Sequence, residues 1–445
     1  MKKLITSICL LLFACCFIMT GCSAPSVTMP QNYTNIKSNG GFVVGVDDYL
    51  YFANAYQSYS NLQSGDNKGN VGVYKINRIQ LDRNNNSLIK EEESVKYENF
   101  YNKIAGFETS NMFVVNEYLY FTSPNIHKND SKDDEQYNKN QFDLVSLFRI
   151  KLDGSGFKEL YTTETNTSQI SLVTVNHEKF IIIFDDNSIF KINAQTNSTK
   201  VEKLVDKVES TILPSKDEEI VNIYYTSTRD EDDLFTGNLL NKINLVTGEK
   251  VEKISGYSNN KETITIKAYQ NGRLFYTRKN ASSTIFYSND FSNGSSSEKV
   301  HKYETTIENV NYIKNHEYLI NKFVFEYNKN IFVQDINDDN DSAYEKLTSE
   351  DSSIAFIDQN YVYYTTTNGI FRISVLTKQV KQISDTANFN ADSIDFDGRY
   401  VYYFAKASDK TSDTKYLFRA DTLGDQIQTE CIGELSEDDI KAQEE

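Results

Sequence analysis

The sequence predicts an all-β chain built as a single β-propeller of seven or eight four-stranded blades. Three observations predict it. One aromatic strand returns along the chain, as YLYFAN (49–54), EYLYFTS (117–123), YVYYTT (361–366) and YVYYFA (400–405). Each copy follows a turn rich in Asn, Asp or Gly. Beyond the first forty residues no segment has the 3.6-residue apolar period of an amphipathic helix. The composition agrees: among 445 residues there are 30 Tyr and 27 Phe but only 4 Pro, and aromatic side chains favour strands.

The repeating unit opens with a strand and a tight turn into the aromatic strand. The turns align as VDDYLYF (46–52), VNEYLYF (115–121), VNHEKFI (175–181), NGRLFY (271–276), DQNYVYY (358–364) and DGRYVYY (397–403). Asn, Asp and Gly accept the left-handed backbone that a short hairpin requires. A third strand follows as VYKI, LFRI, IFKI, LNKI, IFYS, IFVQ, IFRI and LFRA, starting at 73, 147, 189, 240, 285, 331, 370 and 417. Turns such as LDGSG (152–156) and LVTGE (245–249) lead to a more polar fourth strand, for example KVEKI (250–254) and QVKQI (379–383). One such sheet cannot bury both of its faces, but a ring of them can, and closing the ring protects the edges.

The aromatic strand and its exit resemble the YWTD repeat of the low-density-lipoprotein-receptor-related β-propellers, and more closely bacterial lipoprotein propellers of that pattern. The matching residues are Leu119-Tyr120-Phe121-Thr122-Ser123, Ile223-Tyr224-Tyr225-Thr226-Ser227, Leu274-Phe275-Tyr276-Thr277-Arg278 and Val362-Tyr363-Tyr364-Thr365-Thr366. The first aromatic and the Thr are kept, Phe or Tyr stands for the Trp, and the Asp is absent from every copy. Receptor-type members have six blades, whereas eight units are countable here. The resemblance implies a recognition domain rather than an enzyme, and no binding residue transfers.

Ahead of the repeats, residues 1–21 read as an export signal, with Lys2 and Lys3 before an apolar run from Ile5 to Met19. It ends in Met19-Thr20-Gly21-Cys22, which resembles the bacterial lipobox. That resemblance implies lipid attachment at Cys22 and a cell-membrane address facing the extracytoplasmic side; the alternative is a plain secretory leader. Residues 22–41 then form a polar tether, 42–434 the propeller, and 435–445 an acidic tail. Three of the five cysteines lie in the leader and Cys22 is taken by lipid, so Cys431 has no intramolecular partner.

The formal charge of −17, two units more negative once Lys2 and Lys3 are removed, opposes nucleic-acid binding and adhesion to anionic lipid. No zinc-protease, nucleophile-elbow, Walker or paired-cysteine motif occurs. His177 and His316 occupy turn positions. The acidic run DINDDNDSAYE (335–345) alternates ligand-type residues as calcium loops do, but Asn340 replaces the glycine and Lys346 the closing Glu. The sequence therefore predicts no catalytic residue, metal or cofactor.

The first-to-second and third-to-fourth connections read as short and uniform, and the second-to-third connections as variable. Two of the latter are long and adjacent. One carries Tyr56 and Tyr59, the other Tyr137 and Phe142; these four are the expected ligand contacts, because Tyr binds with little entropy loss. The expected function is a monomeric, membrane-anchored binding or scaffolding propeller for a protein or cell-envelope polymer. The alternative is a cell-envelope hydrolase with its carboxylates at the channel mouth.

Overall fold

The computed structural model describes residues 35–54, 72–77, 94–96, 111–124, 145–165, 167–214, 216–228, 237–251, 262–270, 273–280, 284–289, 299–301, 322–335, 344–385, 394–405 and 416–432. All regular elements among them are strands, grouped in eight sheets around one axis. The chain is an eight-bladed β-propeller, the upper of the two expected counts. All eight third strands fall where the repeat places them: Gly72–Asn77, Val145–Lys151, Ser188–Asn193, Asn238–Asn244, Thr284–Asn289, Asn330–Asp335, Gly369–Ser374 and Tyr416–Asp421. Blades 1 to 8 are numbered here in that order.

The hairpin turns form as their composition dictates. Asp47, Asn116, Asn176 and Gln359 have φ between 47° and 54°, His177 has 67° and Gly398 has 98°. The Asn271-Gly272 turn lies outside the described residues. Alternate strands run antiparallel, so first-to-second and third-to-fourth turns share one side of the ring. Backbone bonds knit the two sets together: the N–H groups of Leu152, Leu245, Val375 and Thr422 donate to the carbonyls of Glu117, Val221, Asn360 and Arg399 at 2.8–3.1 Å. We term this side the turn face and the opposite side the loop face.

The aromatic second strands are buried on both sides. In blade 8, Tyr402 and Phe404 pack toward blade 1, whereas Val401, Tyr403 and Ala405 pack toward blade 7. In blade 7, Tyr363 joins blade 8, and Val362 and Tyr364 join blade 6. This period-two division explains why the strand is apolar throughout instead of alternating with polar residues. The Thr of the repeat motif is also buried at positions 122, 226, 277 and 365. Where its bonds are short they tie it to its blade: the Asn111 N–H donates to Thr122 Oγ1 at 2.8 Å, and Ser210 and Thr226 share a 2.8 Å hydroxyl bond.

The basic residue of the third strand also has a place. Lys75, Arg149, Lys191, Arg372 and Arg419 each lie over the first aromatic ring of the neighbouring second strand, at 4.1–5.3 Å from Tyr49, Tyr118, Phe180, Tyr361 and Tyr400. A cation over a ring face is attracted by its quadrupole, so in five blades a third-strand cation is held against the second strand by a ring as well as by its blade.

Between blades 5 and 6, Phe275 stacks on Phe323 with centroids 4.6 Å apart and planes 5° from parallel. Phe275→Ala is expected to lower stability by about 3–5 kcal/mol, read as a reduced denaturation midpoint.

Candidate functional site

First strands line the axis of the ring, and two chain segments run among them. The first is 35–41. Ile36–Lys37 adds an antiparallel strand to the first strand of blade 1, Val43–Val46, through Ile36 opposite Val46 and Lys37 opposite Gly45. Ser38 then donates its hydroxyl to the Phe396 carbonyl of blade 8. The Asn39 amide imitates a strand: it receives the Val114 N–H at 2.6 Å and donates to the Val114 carbonyl at 3.0 Å in blade 2. The Gly40 N–H donates to the Met112 carbonyl (2.9 Å) and the Met112 N–H to the Gly41 carbonyl (2.7 Å). Gly41 is required here, because a Cβ would stand 1.8 Å from Asp395 Oδ2.

The second segment, 212–221, corrects the expectation of uniform first-to-second turns; the third-to-fourth connections are not uniform either, since 78–93 separates those strands in blade 1 but only 245–249 in blade 4. In blade 4 the connection between Val208–Thr211 and Asn222–Thr228 is an excursion across the axis. Its Glu218–Glu219 pairs in parallel with the first strand of blade 3, Gln169–Val175. The Asp217 N–H donates to the Asn39 carbonyl at 2.9 Å, linking the two segments. The Asp217 carboxylate receives the Thr174 hydroxyl at 2.8 Å and pairs with Lys179. Lys216 reaches Asp395 on the first strand of blade 8.

Asp395 is 1% exposed. One oxygen receives the Val43 N–H of blade 1 at 3.1 Å; the other pairs with Lys216 and takes its neighbour Phe396 N–H at 2.8 Å. The ring closes here, and among the described residues it closes without strand exchange, since residues 36–96 supply the strands of blade 1 and residues 394–431 those of blade 8. Asp217 and Asp395 thus serve as counter-ions, and Asp395 also as a backbone acceptor. A recess between Pro214, Ile223 and Tyr269 encloses about 20 Å³, room for one water molecule. Among the described residues no three His, Cys, Asp or Glu side chains converge as metal ligands.

Cys22, Tyr56, Tyr59, Tyr137 and Phe142 lie outside the described residues, as do His127 and His316. The strands that bound the two long connections are described: Tyr49–Asn54 and Gly72–Asn77 in blade 1, Tyr118–Pro124 and Val145–Lys151 in blade 2. Both connections leave from the loop face of adjacent blades. His177 sits in its predicted turn on the turn face. In the calcium-like run, Asp335 pairs with Lys322 at 3.2 Å, and residues 336–343 are not described. Sequence reading missed Asn39, Gly41, Lys216, Asp217 and Asp395. The available signals were the Gly40-Gly41 pair beside the first strand and the interruption of the hairpin pattern between 211 and 222.

No protein-family model matches this chain, and no curated protein does. Solved structures similar to it include TolB from Acinetobacter baumannii (13% identity, 77% of this chain and 81% of that one, TM-score 0.34). Apo AztD from Citrobacter koseri is similar at 11% identity over 86% and 91%, TM-score 0.42. A Mycobacterium tuberculosis puromycin-hydrolyzing peptidase is similar at 10% identity over 73% of this chain but 53% of its own, TM-score 0.42. At these values the likenesses carry no function to this chain, and the fold assignment rests on its own strand pairing. That pairing defines a class: an eight-bladed β-propeller with two chain segments laid among the axial strands.

Two predictions follow from this geometry. Asp395→Ala leaves Lys216 without its partner in a buried place, and breaking such a pair costs about 3–5 kcal/mol; a smaller loss in chemical denaturation would show that ring closure does not depend on Asp395. The second concerns Lys75. Burial lowers its pKa to about 8, so the folded state binds its proton less tightly than the unfolded state does. Its contribution to stability is lost as pH falls through 8 and regained as pH rises toward the unfolded value. Tm is expected to rise between pH 7 and 9.5, below the range where Tyr364, pushed up by burial to about 12, opposes it. Lys75→Met is expected to flatten that rise.

Proposed function

We propose that this protein is a lipid-anchored, extracytoplasmic binding or scaffolding propeller that recognises a protein or a cell-envelope polymer. Cys22 is the attachment point, and the aromatic residues Tyr56, Tyr59, Tyr137 and Phe142 on the long connections of blades 1 and 2 are the proposed contacts. The observation that carries this reading is the use of the axial charges. Asp217 and Asp395 are both engaged by lysines and by backbone or hydroxyl donors that hold four blades together. A channel-mouth hydrolase would need carboxylates free to exchange protons with substrate. By contrast, the loop face offers connections that differ greatly in length on a rigid frame, the usual placement of recognition residues.

The test is proximity crosslinking on intact cells, comparing the native chain with one lacking 56–69 and 126–142 whose melt is unchanged. A single partner captured by the first and lost by the second is expected. Capture that survives the trimming would remove the long connections from the site, and hydrolysis of an envelope polymer by the purified chain would replace binding with catalysis.

A further inference from the structure

Seven large hydrophobic residues are exposed among those described. Six of them lie on one side of the ring. Val246, Leu376 and Leu423 project from the third-to-fourth turns of blades 4, 7 and 8. Val380 and Ile427 follow two of these turns, and Val221 precedes the second strand of blade 4; their exposures run from 40% to 66%. Tyr344, on the outer strand of blade 6, is the exception. Isolated exposed aliphatics are ordinary on a protein surface. Here, however, three occupy corresponding turns, in NLVTGEK (244–250), SVLTKQV (374–380) and DTLGDQI (421–427). In a ring of eight, blade 4 is opposite blade 8, so the apolar tips stand on opposing rims and define a plane across the turn face.

Asn35, the first described residue, stands at the same face. The Asp47 N–H donates to the Asn35 carbonyl at 3.0 Å, and the Asn35 N–H to Asp47 Oδ1 at 3.3 Å, which places Asn35 beside the first turn of blade 1. From Asn35 back to Cys22 is a separation of 13 residues, and an extended residue spans at most about 3.3–3.6 Å.

We infer that the turn face rests on the lipid bilayer, with Val246, Leu376 and Leu423 entering the headgroup boundary and the loop face directed away from the membrane. This rests on the reading of Cys22 as the anchor. The partner is a lipid surface because the 13-residue stretch back to the proposed anchor begins at this face and because a flat surface meets both rims at once. The negative net charge makes the contact apolar rather than electrostatic, so neutral lipid suffices.

The test uses the chain from Cys22 onward carrying Cys431→Ser, coupled through Cys22 to maleimide-bearing phospholipid in phosphatidylcholine vesicles. Backbone hydrogen exchange is compared with that of the same protein, thiol-capped and free of vesicles. Exchange is expected to slow severalfold over 245–249, 375–379 and 421–428 and to stay unchanged over the loop-face turns 186–187, 328–329 and 367–368. The triple variant Val246→Asp, Leu376→Asp, Leu423→Asp, matched in melting temperature, is expected to lose that slowing. Protection of the loop-face turns, or of neither set, overturns the inference. So does turn-face protection that grows with protein concentration without vesicles, which would mark a second copy as the occupant. Coupling through maleimide makes this result independent of the cell, and palmitate incorporation at Cys22 in cells tests the anchor separately.

Discussion

A four-stranded sheet whose second strand is apolar on both faces has no stable existence alone, and this constraint organises the molecule. Tyr403 and Tyr402 are adjacent in sequence yet belong to different seams, one against blade 7 and the other against blade 1. Each blade thus completes the core of two neighbours, and burial is satisfied only when the ring is whole. The cationic residues of the third strands fit the same constraint. They stand over the second-strand rings and so keep a charge without opening the seam.

Apolar packing does not by itself set the height of one blade against the next. Polar side chains that cross the seams do. The Asn111 amide donates to the Ile170 carbonyl between blades 2 and 3, and Gln169 bonds both Thr211 and Leu213 between blades 3 and 4. Asn238 holds both backbone groups of Ile264 in blade 5, and the Glu326 carboxylate receives Ile354 N–H in blade 7. Such bonds are directional and are costly to leave unmade once buried, so they fix register where hydrophobic contact would tolerate slip. Asp395 is the same device at the closing seam, and there it also receives Lys216 from across the axis.

The two axial segments change what the ring can do. They link blades 8, 1, 2, 3 and 4 through Ser38, Asn39, Lys216 and Asp217. Because 35–37 runs antiparallel to the first strand of blade 1, Asn35 stands at the turn face. The two long connections depart from the other side. On the function proposed above, anchoring and recognition fall on opposite sides of the ring.

The sequence by itself determined the β class, the unit of four strands, the positions of all eight third strands and most of the hairpin turns. Those features are local: period-two apolarity and left-handed turn residues act over a few neighbours and repeat visibly. It did not give the lengths of the turn-face connections, since those at 212–221 and 78–93 break the short, uniform pattern it led us to expect. Only the tertiary structure decided the count of eight, the ring closure without strand exchange, and the occupancy of the axis. Asn39 meets Val114, Gly41 yields space to Asp395, and Lys216 meets the same Asp395 across separations that no local pattern records. Asn39 and Gly41 stand in the stretch that reads as the end of a polar tether, and Lys216 in what reads as an ordinary connection. Their roles arise from convergence at the axis, where distant parts of the chain become neighbours only after the blades have closed.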